Sequence, residues 1–406
     1  MTNLTSASES SVNAFDGWRT LTTAIFMALV GYTVMVSVPV LSTALVEKAG
    51  FSPEQVGRIW GADLGGLSIG AVISALLVAR MNRRYLVFIG VALSIAANAL
   101  CLIYTDYQAL LALRVFAGIG SGIFTAVAIV TLGGTTKPVF AYNMELLGFA
   151  FSTALELRFL PLLTMNEIYL FFIILSAICA VIVFWIPARP LNKEQLAQQE
   201  VKLHDKENWH VPKFIPVICL IAVCFTYMNI GGYYTYIELA ALADGISAEW
   251  TNPVLTWSSL FAIVGCVIAY FCTRFGLFKP LLLSLVVMAA SVAMLSFGIT
   301  DINIVVSLFA FMTLWTFVDV YQAAMLAHMD RSGSMVALLP SVQGFGQFLG
   351  PNIAASVIGA GFGYGTMFMV SGSMALVAMV LYLGISLYMH KKQSVSVEAT
   401  VVLENS

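Results

Sequence analysis

Charge is what this sequence has least of. Only 10% of its 406 residues are charged, 19 Lys plus Arg against 21 Asp plus Glu, while 60% are hydrophobic. A soluble domain is about 25% charged because its surface faces water, so these charges are too few to cover one. The mean hydropathy of +0.92 indicates a chain solvated by lipid. A net charge of −2 leaves no basic surplus, which argues against a nucleic-acid partner. Histidine is scarce as well: His204, His210, His328 and His390 have no ligand spacing, so no metal site is expected. The cysteines (Cys101, Cys179, Cys219, Cys224, Cys266, Cys272) lie in apolar runs. None forms a C-x-x-C pair, and they read as packing residues rather than a disulfide or zinc framework. No G-x-x-x-x-G-K-[ST] loop occurs, so ATP hydrolysis by that route is not expected, and no cofactor is implied. The first 17 residues are polar, without the basic region or cleavage site of a signal peptide.

What the chain has in abundance is long apolar runs. A membrane-crossing helix needs about 20 mostly apolar residues, and about twelve such segments follow one another. They run roughly over 19–45, 57–79, 85–104, 108–132, 138–163, 167–187, 213–239, 252–272, 280–298, 302–327, 335–359 and 364–389. The expected class is therefore an all-α membrane protein of twelve transmembrane helices. The longest internal polar stretch, 188–212, divides them six and six. That organisation predicts a tail over 1–18, a first bundle over 19–187 and a central loop over 188–212. A second bundle follows over 213–389, then a tail over 390–406.

Basic residues orient such a chain, since loops on the cytoplasmic side carry the excess of Lys and Arg. With a cytoplasmic N-terminus, the inside segments hold Arg19, Arg80, Arg83, Arg84, Lys137, Arg189, Lys193, Lys202, Lys206, Lys213, Arg274, Lys279, Arg331, Lys391 and Lys392. The outside segments hold only Lys48 and Arg58, and Arg114 and Arg158 fall within helices. Both termini are expected in the cytoplasm, with the chain in a plasma membrane of the bacterial inner-membrane kind.

The halves echo each other. ALLVARMNRR (Ala75 to Arg84) follows the second segment, and AYFCTRFGLFK (Ala269 to Lys279) follows the eighth. Each pairs an Arg, Arg80 or Arg274, with a turn-forming Asn82 or Gly276 two residues on. These residues resemble the major facilitator superfamily of secondary transporters. Its G-x-x-x-D-R-x-G-R-R turn is matched by Arg80, Arg83 and Arg84, with Ala75, Ala79 and Asn82 replacing the Gly, Asp and second Gly. LRVFAGIGSG (Leu113 to Gly122) resembles the family's Arg-and-glycine pattern in helix 4, and GFGQFLGP (Gly344 to Pro351) its helix 11 pattern. The G-x-x-x-G-P pattern of many drug exporters is missing from 138–163. The resemblance implies two six-helix bundles that rock about a central site, each chain working as a monomer.

Charged groups inside a membrane are costly and usually face a cavity or a partner. Arg114 shares a helix face with Gly118 and Gly122. It reads either as a substrate or coupling residue, as the resemblance implies, or as half of an ion pair, with Asp63 as the partner at similar depth. Glu145, Gly148, Ser152 and Glu156 fall on one stripe of helix 5, which reads as a water-lined wall; local pairing of Glu156 is the alternative. Arg158 points off that stripe and reads as an interface anchor. In helix 10, Trp315, Asp319 and Gln322 share a face, and Asp319 is expected to be the one charge deep in the second half, suited to reversible protonation. In helix 7, Asn229, Tyr233 and Tyr236 share a face, with Gly231–Gly232 expected to weaken the helix between them; this reads as a broken helix lining a binding site, with an ordinary aromatic belt as the alternative.

The sequence thus reads as a secondary active transporter, proton-coupled, moving a small organic solute, with efflux favoured and import of a small organic anion or aromatic acid as the alternative. A membrane-embedded enzyme or sensor is the remote rival, disfavoured by the short outside loops. The expected partners are the solute, the proton and the lipid bilayer.

Overall fold

The computed structural model describes residues 14–78, 80–188, 212, 214–329, 335 and 338–404, with 138, 139 and 390–404 described as backbone only. The expected 188–212 loop, most of the N-terminal tail, Ala79, Lys213 and Arg331 lie outside the described residues or nearly so. Within them the chain is helical and has no strand. The first six helices are α1 (Trp18–Ala49), α2 (Pro53–Leu77), α3 (Arg83–Cys101), α4 (Tyr107–Gly133), α5 (Pro138–Phe159) and α6 (Met165–Ile182). The second six are α7 (Phe214–Ala243), α8 in two pieces (Ala248–Ser259 and Phe261–Cys272), α9 (Phe278–Ala293), α10 (Asp301–Met329), α11 (Leu339–Gly359) and α12 (Tyr364–Glu404).

Ten of these are long and apolar enough to cross a bilayer by length and composition. The other two, α5 and α11, are 22 and 21 residues long. Their lower hydropathy comes from the Glu and Arg residues of α5 and the Gly, Gln and Pro residues of α11. The twelve-helix architecture stands. It suits lipid because a helix satisfies its own backbone hydrogen bonds.

Several ends are written in the sequence. Ser52 and Gln55 form a capping box at the start of α2, and Thr164 and Glu167 form one at α6. The Asn82 and Asp106 side chains accept from Arg84 N and Ala109 N at the starts of α3 and α4. One expectation is corrected. The Gly231–Gly232 pair does not interrupt α7, because both glycines lie against neighbouring helices, Gly231 beside Pro351 and Gly232 beside Ser371. The interruption falls in α8 at Leu260. There the hydroxyls of Thr256, Ser258 and Ser259 donate to carbonyls three or four residues back and compete with the helical ladder.

Packing separates the helices into two bundles, α1–α6 and α7–α12. Within the first, α2 meets α4 along Gly66, Gly70, Gly118 and Gly122, where a Cβ would collide with the facing backbone. Small residues let helices approach this closely in lipid, where burial of apolar surface gives no drive. The opposite side of α2 presents Gly57, Gly61 and Gly65 to α11 of the other bundle. The bundles also meet where α1 faces α7 and α5 faces α8.

Candidate functional site

The turns containing Arg80, Lys137 and Arg274 lie at one end of the molecule, called here the basic end. A cavity of about 270 Å³ lies between the bundles. Its wall uses α2 from Leu64 to Ala75, α4 from Gly122 to Val130, α5 from Glu145 to Phe149 and α11 from Pro340 to Gln347. Each stretch belongs to the half of its helix nearer the basic end. Tyr32, Tyr227, Trp315 and Asp319 also line the cavity.

Asp319 is the best-defined polar group in the wall. The Tyr227 hydroxyl donates to both carboxyl oxygens, at 2.5 and 2.7 Å, and Gln343 Nε2 donates to Oδ1 at 3.3 Å. Neither partner is charged. Glu145, from the other bundle, lines the same cavity, and Tyr32 lies within electrostatic reach of both carboxyls. No Lys, Arg or His belongs to the described lining.

The half of the molecule away from the basic end is closed. Pro39 lies inside α1, where it removes a backbone donor. Close by, the Val36 carbonyl accepts from the Tyr234 hydroxyl of α7 at 3.0 Å. Two residues on, Tyr236 donates to the Pro53 carbonyl at the start of α2 at 2.9 Å. Both bonds cross between bundles. Glu238, a turn further along α7, is 2% exposed and faces Thr43 of α1. Glu238 is thus a second buried carboxyl of the second bundle, near the C-terminal end of α7, besides Asp319.

The other singled-out residues fall in three places. Arg114 is fully buried inside the first bundle, 3.3 Å from Asp63 and 2.6 Å from Asn98 Oδ1, with its guanidinium over the Tyr169 and Trp60 rings. Neither Arg114 nor Asp63 lines the central cavity. Glu156 lies between α1 and α5, accepting from Ser37 at 2.7 Å and Thr33 at 3.5 Å. The helix 5 stripe is consequently split: Glu145 faces the cavity, while Gly148 packs on Leu29 and Ile25, Ser152 bonds the Phe149 carbonyl and Glu156 is sealed in. In the second bundle Asn229 bonds the Ser371 carbonyl, Tyr233 meets Ser307 at 2.8 Å, and Gln322 bonds Thr226 at 2.7 Å. These three hold the bundle together and do not line the cavity.

Arg158 is exposed near the end opposite the basic one. Among the turn residues, Arg80 is exposed and Arg274 lies over the Phe275 ring. Arg83 is buried over Phe15, and Arg84 donates to the Ile186 and Phe184 carbonyls beyond α6. The described contacts of Arg83 and Arg84 thus stay within the first bundle. Tyr32, Tyr227, Gln343 and Gln347 were not singled out from the sequence. Gln343 and Gln347 do carry a signal, two amides four residues apart on one face of α11.

Two bundles of six helices closed at one end, with a solute-sized cavity between them, are the architecture of a secondary transporter. The Major Facilitator Superfamily model matches residues 23–351. The chain belongs to that superfamily and is a transporter, not an enzyme. Among solved structures it is similar to a mutant of the nucleoside transporter NupG, at 12% identity and a TM-score of 0.72 over 90% of this chain and 99% of that one. It is similar to a D-xylose-proton symporter at 15% identity, TM-score 0.68, over 90% and 96%. The human organic anion transporter MFSD10 follows at 14% identity, TM-score 0.64, over 90% and 99%. No curated protein matches the chain by sequence.

Proposed function

We propose that this chain exports a small organic solute across a plasma membrane in exchange for protons, with the basic end in the cytoplasm. The excess of Lys and Arg at that end supports the orientation. With that orientation, the cavity lies on the cytoplasmic side beneath a closed outer half. Alternating access then requires the Tyr234 and Tyr236 bonds between bundles to break as the inner halves close.

The observation that carries the reading is Asp319: a carboxyl in the cavity wall, held by Tyr227 and Gln343 and, among the described residues, by no cation. Intramembrane carboxyls mark proton relays and ion paths. A carboxyl held only by neutral donors is free to exchange its proton as the cavity changes sides. Glu145 is the second such group in the same wall, whereas Glu156 is bonded away from it. Import of an organic anion has less support, because Arg114, the cation that suggested it, faces Asp63 inside the first bundle.

The test is solute-evoked proton flux in proteoliposomes carrying a pH-sensitive dye, across a panel of amines, sugars, nucleosides and organic acids. The wild type should move protons with one class. Asp319→Asn should abolish gradient-driven accumulation and the accompanying proton flux, while exchange without a gradient persists at raised solute concentration. If Asp319→Asn concentrates solute as the wild type does, Asp319 does not couple.

A further inference from the structure

The cavity makes three demands of its occupant, and they agree. The first is charge. Glu145 from one bundle and Asp319 from the other line the same cavity as Tyr32 and both lie within its electrostatic reach, and the described lining has no Lys, Arg or His. The second is shape and polarity. Tyr32, Phe149, Tyr227 and Trp315 line the space together with aliphatic residues such as Met35 and Leu67. Aromatic faces attract cations more strongly when water is displaced. The third is an unanswered donor. Gln347 lines the cavity, is 4% exposed, and its Nε2 has no hydrogen-bond partner. A buried donor without a partner is unfavourable; Nε2 has almost no accessible surface, so a ligand acceptor meets it once the Gln347 side chain turns into the cavity.

From these we infer that the cavity binds an organic cation: a protonated amine on an aromatic or apolar body, with a hydroxyl or carbonyl oxygen placed for Gln347. The ammonium sits between Glu145 and Asp319, the body packs on Trp315 and Phe149, and the oxygen accepts from Gln347. The inference rests on the transporter reading and names its substrate class. It also accounts for exchange. The solute and the protons neutralise the same two carboxyls, so each displaces the other, and neither bundle alone provides the whole site.

Three probes share one body and differ in charge: 2-amino-1-phenylethanol, its uncharged analogue 1-phenyl-1-propanol, and the anion mandelate. Xylose adds an uncharged polyol. Each is titrated calorimetrically into the full chain in lipid nanodiscs. The amine should bind, and the uncharged and anionic analogues should bind about 30-fold more weakly or less, as expected for loss of a desolvated charge pair. Asp319→Asn and Glu145→Gln should each weaken the amine by a similar factor, and Gln347→Leu by about fivefold, with unchanged elution on size exclusion. Mandelate or xylose binding as tightly as the amine overturns the assignment, and so does a wild type that fails to bind the amine. Neither result touches the proton-exchange reading, which stands or falls on the proton-flux measurement.

Discussion

At the scale of single residues, the two strongest intramembrane charges in the first bundle neutralise each other. Arg114 and Asp63 sit 3.3 Å apart, both essentially without solvent exposure. Removing one member leaves the other buried and unpaired, which costs about 3–5 kcal/mol. Arg114→Ala should therefore lower thermal stability in detergent by several degrees and lose transport through misfolding. Arg114→Lys should recover little, because an ammonium cannot reproduce a fork that reaches Asp63 and Asn98 together. A fully stable Arg114→Ala variant that has lost only solute binding would return Arg114 to the site. Arg83→Ala, by contrast, removes a contact with Phe15 inside one bundle, and transport should fall only modestly at normal expression. The residue types were legible in the sequence, since a charge in an apolar run announces itself. Which charges met was not: Glu145, Glu156, Asp63 and Asp319 look alike on helical wheels, yet two line the cavity, one is bonded to Ser37 and one is paired.

At the scale of helices, α2 holds the molecule together because its two sides are both glycine-lined. Gly66 and Gly70 admit the backbone of α4, while Gly57, Gly61 and Gly65 admit α11. Gly118→Leu on α4 would drive a side chain into the Asp63 and Leu67 backbone. Thermal unfolding and expression should show severe destabilisation; a variant as stable as the wild type would mean that α2 and α4 can separate without loss. On α7 the consequences concern motion rather than folding. Tyr234 and Tyr236 bridge to α1 and α2 at the closed end. Tyr234→Phe deletes one bridge and keeps the ring's packing, so it should raise the outward-open population. Cysteine labelling at an outer position such as Thr43 should speed up relative to the same cysteine in the unsubstituted background, and no change would assign the closure to packing alone. The sequence reading expected α7 to break at its glycines. It stays whole because those glycines serve helix contacts, a purpose a linear pattern does not distinguish from flexibility.

At the scale of the whole molecule, the proposed orientation places the basic end and both termini in the cytoplasm. A reporter that fluoresces only there, fused after residue 392, should be bright, and a dark fusion would invert the transporter and its proposed direction. Length, apolar periodicity and the scarcity of charge determined by themselves that this chain crosses a bilayer about twelve times in two sets of six. Those properties decide solvation, and lipid admits few answers. Only the tertiary structure decided that Asp319, Glu145, Tyr227 and Gln347 share a cavity while Arg114 turns away from it. A helix's sequence states which residues lie on each face, but the rotation of that face toward a cavity, a neighbour or lipid is set by contacts with partners far along the chain.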